Sequence, residues 1–268
     1  MKKYFLSIVA LAGMLFATSC QESLVEPQLG GTTTFTVQVP DAMGTKAIGD
    51  ATNVDKLFVE VYSNGTSIFK KTQGIQGSTT VSLDLIKGQE YQIVFWAQKG
   101  DSYVKEGDGL AEINIPTEFH NNESGAAFYA YETFVIDGNA KTVTLRRPFA
   151  QLNLGTTEGS LTNNAGTFTL KSSVIKVKGI ADNFNTVSGF GTVTEANKDI
   201  EYTFDAVALP SDEIIKVAGV EYMYVSMDYL PIVGDNQALV TVDATITLTN
   251  NQSINHKFTN VPVRENYR

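Results

Sequence analysis

The chain has 268 residues, and its 29 acidic side chains outnumber its 20 lysines and arginines, which gives a formal net charge of −9. Binding to nucleic acid needs clustered basic side chains that neutralise phosphates, so this balance argues against a nucleic-acid partner. The chain has one cysteine, Cys20, and a disulfide within the chain is therefore excluded.

The first twenty residues have the organisation of a bacterial export signal. Lys2 and Lys3 form a short basic region, residues 5–16 form an apolar stretch of the length found in cleaved signals, and small residues precede Cys20. Residues 1–19 resemble a lipoprotein signal peptide, which implies cleavage before Cys20 and attachment of acyl chains, such as palmitate, to that residue. An ordinary signal peptide followed by an incidental cysteine is the alternative interpretation.

The segment that follows the cysteine has the composition of a linker. Residues 20–34 contain Pro27, Gly30 and Gly31 and lack a regular alternation of apolar residues. Such composition is typical of a flexible connection. We therefore predict a lipidated tether over residues 20–34.

From residue 35 onward, apolar residues recur at every second position, which is the period of half-buried antiparallel strands. The clearest runs cover residues 35–39, 57–61, 81–85, 91–97, 111–115 and 238–248. Turn sequences separate such runs, among them Asn64-Gly65, Asp137-Gly138 and Asn250-Asn251. The pattern predicts an all-β protein built from antiparallel β-sandwiches.

The length of the chain predicts two such sandwiches in tandem, because one takes about 100 residues. The boundary is expected at Arg146-Arg147-Pro148, since proline cannot donate a hydrogen bond within a sheet. We predict an N-terminal sandwich over residues 35–147 and a C-terminal sandwich over residues 148–268. One short helix is also expected over residues 211–217, with Ser211 as its N-cap.

The sequence offers few groups for catalysis. Its two histidines, His120 and His256, fall in different predicted domains. A nucleophilic site needs a histidine base beside the nucleophile, and a zinc site needs several histidine or cysteine ligands. The sequence predicts neither, so we expect no enzyme activity, no metal and no cofactor. Paired carboxylates of the kind that hydrolyse glycosides stay open as an alternative, because any acidic chain contains such pairs.

Four strings along the chain together carry a family resemblance. They are the lipoprotein signal with its tether, the string Thr45-Lys46-Ala47 with the strand that follows at 54–62, the segment 143–154 at the predicted boundary, and Asn260-Val261-Pro262-Val263 with Asn266-Tyr267-Arg268. In this order and spacing they resemble the fimbrillin-like lipoproteins, the subunits of type V pili of Gram-negative gut and oral anaerobes.

The resemblance implies two tandem transthyretin-like β-sandwiches and export to the outer membrane, where lipid on Cys20 holds the protein at the cell surface. It also implies cleavage between Lys46 and Ala47 by a trypsin-like surface protease, which would release the lipid together with one strand. The apolar side chains of that released strand are Phe35, Val37 and Val39. A strand from a neighbouring subunit would then fill the gap, so the implied partners are other pilus subunits and receptors on host or bacterial surfaces.

A second function stays open, that of a surface lipoprotein that binds glycan for polysaccharide uptake. Its candidate stacking residues are the aromatic side chains of one part of the chain: Trp96, Phe128, Tyr129, Tyr131 and Phe134. The same positions fit strand patterns in which aromatic residues belong to the core. The position within a pilus is also open, because the polar residues 264–268 do not resemble a donor strand; stalk, tip and anchor are the alternatives.

Overall fold

A computed structural model describes residues 30–40, 53–116, 123–157, 160–163, 166–193, 200–204, 214–233 and 237–264. Within these ranges the chain is almost entirely β-strand, with one short 3₁₀ turn at Glu123–Gly125. The all-β prediction is confirmed.

The first half of the chain supplies eight of the described strands. They are β1 (Gly31–Gln38), β2 (Lys56–Ser63), β3 (Thr66–Gly74), β4 (Ser78–Leu85), β5 (Glu90–Gln98), β6 (Glu112–Asn114), β7 (Ala127–Val135) and β8 (Lys141–Thr144).

The second half supplies ten more of the described strands. They are β9 (Phe149–Thr156), β10 (Ser160–Asn163), β11 (Gly166–Lys178), β12 (Asn183–Asn185), β13 (Phe190–Thr192), β14 (Ile200–Phe204), β15 (Ile214–Val217), β16 (Val220–Pro231), β17 (Gln237–Leu248) and β18 (Ser253–Arg264).

Two sheets of the first half face each other. One has the order β4-β1-β8 and the other the order β3-β2-β5-β7. Their alternating apolar residues form one buried cluster, in which Phe35 of the first sheet lies with its ring 5.9 Å from that of Phe95 in the second. Asn64 and Gly65 have positive φ angles of 50° and 75° in the turn between β2 and β3, as the two-residue hairpin predicts.

The second half has its own pair of sheets. The order in one is β15-β16-β9, and in the other it is β10-β11-β17-β18, with β14 also paired to β11. Apolar residues from both sheets form a second buried cluster that includes Ile175, Leu230 and Val242. A small sheet of order β13-β12-β6 links the two halves, because β6 comes from the first half and β12 from the second.

Aromatic side chains also join the halves. Phe184 on β12 packs edge-on against Tyr129 of β7, with ring centroids 4.7 Å apart, and lies 6.1 Å from Trp96 of β5. Phe149 at the start of β9 completes the group at 6.3 Å from Trp96. All four side chains are buried, so the contact between the halves is a packed aromatic core.

Two expectations need correction. The helix expected over residues 211–217 is wrong for its last four residues, which form strand β15 (Ile214–Val217); the others lie outside the described residues. β-branched side chains and a tight turn at Ala218 and Gly219, both with positive φ, favour a hairpin with β16 there. The tether was expected to reach residue 34, but β1 begins at Gly31 because threonines extend its ladder with β4.

Candidate strand-accepting groove

Strand β1 lies in the middle of its sheet. It pairs antiparallel with β4 over eight positions, from Gly31 opposite Leu85 to Gln38 opposite Ser78. On its other side it pairs in parallel with β8 over four positions, from Phe35 to Gln38. Because adjacent strands lie about 4.8 Å apart, removal of β1 would leave a slot about 10 Å wide between β4 and β8.

The inward face of β1 fills the core between the two sheets. Phe35 and Val37 have no exposed surface, and Val39, just after the strand, is 8% exposed. The Phe35 ring also packs edge-on against Phe134 of β7, with ring centroids 5.2 Å apart. The structure thus brings together the three residues that were predicted for the released strand, and all three are core residues of the sandwich.

A fourth inward-facing residue was missed. Thr33 is 1% exposed and lies opposite Leu83 of β4. Threonine counts as polar when apolar alternation is scored, so the pattern from residue 35 did not extend back to it. The β-branched run at 32–34 is the feature that could have found it.

Hydrogen bonds fasten both ends of β1. At its end, Val39 N–H donates to Gly77 O at 2.7 Å, and Leu145 N–H donates to Gln38 O at 2.8 Å. Near its start, the Thr32 hydroxyl donates to an Asp84 carboxylate oxygen at 2.7 Å. The strand is therefore held along its whole length by backbone and side-chain bonds.

The β4 wall of the slot is attached to the opposite sheet without the help of β1. Gln73 of β3 donates its side-chain N–H groups to the Thr79 hydroxyl at 2.9 Å and to Thr80 O at 3.0 Å. Lys71 of β3 donates to Ser82 O at 3.3 Å. These contacts tie β4 to β3 along the outer side of the sandwich.

The β8 wall is attached in the same way on the other side. Tyr129 N–H of β7 donates to Arg146 O at 2.8 Å, and Arg146 N–H donates back to Tyr129 O at 2.9 Å. The Arg146 guanidinium lies over the Tyr129 ring, 4.9 Å from its centroid, and donates to its hydroxyl. Each wall of the slot therefore has contacts with the opposite sheet that do not involve β1.

The turn between β7 and β8 is fixed by Asp137. Its carboxylate accepts hydrogen bonds from Asn139 N–H at 2.9 Å and from Lys141 Nζ at 2.9 Å, while Gly138 has a φ of 85°. The backbone bond from Asn139 is the main reason that the pKa of Asp137 lies well below its usual range. This turn sets the position at which β8 begins.

The chain that follows β1 is anchored again just before β2. Asp55 accepts hydrogen bonds from Lys99 Nζ at 2.6 Å and from Gly100 N–H at 2.7 Å, and these lower the pKa of its carboxyl. Val54 beside it is 4% exposed. The predicted processing residues Lys46 and Ala47 and the predicted lipidation residue Cys20 lie outside the described residues.

The outer face of β2 carries a buried carboxylate. Glu60 is 2% exposed and accepts hydrogen bonds from the Tyr62 hydroxyl at 2.6 Å, the Ser67 hydroxyl at 2.5 Å and Leu110 N–H at 2.5 Å. Burial raises the pKa of Glu60, but these bonds and the ammonium of Lys70 outweigh it, so that the pKa is lowered. Glu60 therefore holds the loop at 99–111 on the sheet as a satisfied structural anion.

A protein-family profile matches residues 26–268 of the chain. The chain belongs to the DUF6562 family. The description of DUF6562 is a family of unknown function, and no curated protein matches the chain in sequence.

Several solved structures are similar to this DUF6562 chain. A candidate adhesin from Bacteroides ovatus superposes with a TM-score of 0.50 at 11% identity, covering 86% of this chain and 78% of that one. A fimbrilin from Porphyromonas gingivalis W83 is similar with a TM-score of 0.49 at 12% identity, covering 86% and 81%. A candidate polysaccharide-binding protein from Bacteroides thetaiotaomicron gives a TM-score of 0.47 at 15% identity, covering 86% and 80%. The similarity to the adhesin supports the β-rich fold described above.

The aromatic residues considered as a sugar platform lie in the core of the DUF6562 fold. Trp96, Phe128 and Tyr129 are at most 1% exposed, while Tyr131 and Phe134 are partly buried against the same core. Buried rings offer no face to a glycan, so the core interpretation is confirmed for the first three.

No helix in the part of the chain that the structure describes has the length and apolar character needed to cross a membrane. No group of three or more His, Cys, Asp or Glu side chains in those ranges is placed to hold a metal ion.

Proposed function

We propose that this chain is a structural or adhesive subunit of a cell-surface pilus, activated by removal of strand β1. The observation that carries the proposal is the position of β1, a central strand whose inward face is buried and whose two neighbours are tied separately to the opposite sheet. A strand in this place can leave a defined slot behind it. An edge strand could not, because it has a neighbour on one side only.

The proposal begins with export. A signal peptide over residues 1–19 directs the chain out of the cytoplasm, and acyl chains on Cys20 anchor it in the outer membrane through the tether. More than one acyl chain gives stable anchoring, whereas a single chain binds reversibly. The protein is then displayed at the cell surface and faces proteases, receptors and other subunits.

Activation is proposed to occur by cleavage between Lys46 and Ala47. The segment 41–52 joins β1 to the anchored Val54 and Asp55, so a cut there separates β1 and the lipid from the rest of the fold. The chain that remains is anchored from Asp55 onward by the bonds of that residue to Lys99 and Gly100. The unpaired edges of β4 and β8 would then be open to a new strand.

Assembly follows by strand complementation. An extended segment of a neighbouring subunit enters the slot, pairs with β4 and β8 and covers the core face that Phe35 and Val37 now fill. The donor and acceptor surfaces differ, so the contact runs head to tail and builds an open fibre. The names of the similar adhesin and fimbrilin agree with such a role, and receptors at the fibre surface are its proposed targets.

We also propose the division into an N-terminal sandwich over residues 35–147 and a C-terminal one over 148–268, neither with enzyme activity. Two separate buried clusters support this division, the first of which draws mainly on residues before Ala150 and the second only on Ala150 and later ones. Phe149, Phe184, Met227 and Tyr229 belong to the first cluster and connect the two.

Glycan binding is the alternative, and one similar structure is named for polysaccharide binding. The burial of Trp96, Phe128 and Tyr129 removes its best candidate contacts. We therefore favour the pilus role.

The test is the mass and N-terminal sequence of protein sheared from the surface of cells that express the full chain. We expect an unlipidated species that begins at Ala47 and runs as a high-molecular-weight polymer. Lys46→Ala should abolish it, whereas Lys87→Ala, at an exposed turn lysine, should not. A monomer that keeps acylated Cys20 would overturn the proposal and favour a permanently anchored protein.

A further inference from the structure

Thr33 is the one polar side chain on the inward face of β1. It is 1% exposed, and among the residues that the structure describes its hydroxyl oxygen has no hydrogen-bond partner. Its neighbour Thr32, on the opposite face, donates to Asp84. The two adjacent threonines therefore differ sharply, because one hydroxyl is satisfied at the surface and the other is buried without a bond.

The slot around Thr33 is apolar. Leu83, directly opposite on β4, is 2% exposed, and the next inward-facing residue along β1 is Phe35. The ladder with β8 begins only at Phe35, so Thr33 pairs with β4 alone. A buried hydroxyl without a partner loses its bonds to water and gains nothing in return. Valine has nearly the same shape and no such loss.

We propose that the slot is built for a strand that carries valine or isoleucine at the position of Thr33, and that β1 is a deliberately weaker occupant. The inference rests on the proposed function and names the chemistry of the partner segment. That segment carries apolar residues at the positions that correspond to Phe35, Val37 and Val39, and a β-branched apolar residue at the position that corresponds to Thr33. The β1 strand of a second copy repeats the same threonine and is disfavoured as the donor.

The test adds each of three peptides to the full chain after that chain has been cut between Lys46 and Ala47, while β1 still occupies its place in the fold. The first peptide has the native sequence of residues 30–40, the second carries Thr33→Val, and the third carries Thr34→Val. The second and third have the same composition, but Thr34 faces outward and is partly exposed. Displacement of labelled β1 is measured against peptide concentration.

We expect the Thr33→Val peptide to displace β1 at about tenfold lower concentration than the native peptide, a ratio that corresponds to about 1.4 kcal/mol. The Thr34→Val peptide should act like the native one. Equal action of the two variants would overturn the inference while leaving strand exchange, and so the proposed function, intact. Failure of every peptide to displace β1 would count against the proposed function.

A second measurement tests the preference of the slot even if no strand exchanges. Thr33→Val and Thr34→Val are made in the full chain, and their urea midpoints are compared with that of the unaltered chain. Thr33→Val should raise the midpoint and Thr34→Val should leave it unchanged. A midpoint for Thr33→Val at or below the unaltered one would overturn the inference, because the slot would then prefer threonine.

Discussion

Replacement of Phe35 by alanine tests how strongly β1 is held. The ring has no exposed surface and packs against Phe95 and Phe134 at 5.9 and 5.2 Å. Removing a buried phenylalanine ring costs about 3–5 kcal/mol, because the transfer energy is lost and a cavity remains. We expect Phe35→Ala to lower the free energy of unfolding of the sandwich by this amount, which at urea slopes of about 1–3 kcal/mol per M lowers its urea midpoint by about 1–5 M.

The matched control is Thr36→Ala, one position along β1 on the outward, partly exposed face. It should cost less than about 1 kcal/mol, as most surface substitutions do. Urea titration followed by Trp96 fluorescence reports on the first half of the chain, because Trp96 is the only tryptophan and lies in that core. If Phe35→Ala costs no more than Thr36→Ala, β1 is not docked as described and the slot loses its basis.

Three further predictions concern the scaffold around the slot. The pKa of Glu60 is lowered in the folded protein, so its carboxylate stabilises the fold above the unfolded pKa of about 4.3, and this stability is lost as the pH falls through the lower folded value. Glu60→Gln should therefore lower the free energy of unfolding, measured by urea titration, by about 2 kcal/mol at pH 7 and by less at pH 3.5. A loss that does not depend on pH would contradict this. Gly191→Ala should lower the melting temperature, because the new Cβ would lie 2.5 Å from the Ala181 Cβ and 2.6 Å from Ile232 O. The control Gly109→Ala, whose new Cβ would have no atom within 4 Å, should leave the melting temperature unchanged, and equal melting temperatures of the two variants would refute the clash. Asp55→Asn should increase proteolysis near residues 53–56 at pH 7, because the substitution removes the charge that binds Lys99, and the difference should shrink as the pH falls through the lowered pKa of Asp55. An unchanged cleavage rate at pH 7 would show that its bonds to Lys99 are not needed.

The parts of the fold that could be predicted from the sequence are the strands with one face in the core and the other exposed to solvent. The run at 35–39 alternates because Thr36 and Gln38 face outward while Phe35 and Val37 face the core. Strand β16 escaped prediction because residues 225–232 are buried on both faces, including Ser226 and Asp228, so no alternation remains to be seen.

The geometry of the candidate site could not be predicted from local pattern. The parallel neighbour of β1 is β8, which lies more than 100 residues further along the chain. Apolar alternation identifies which residues face the core but carries no information on which strands become neighbours. The bonds from Gln73 to β4 and from Arg146 to β7 are tertiary as well, and they decide whether a slot survives without β1.

The energetics of β1 bear on the order of events in the proposed assembly. Burial of Phe35, Val37 and Val39 contributes about 5–9 kcal/mol, at about 1.5–3 kcal/mol for each side chain. That is comparable with the whole stability of a typical domain, about 5–15 kcal/mol. An empty slot would thus expose the subunit to unfolding, so loss of β1 and entry of a donor must be closely coupled. A weak point at Thr33 fits this requirement, because a donor can begin pairing with β4 at that end while Phe35 and Val37 still hold the core closed.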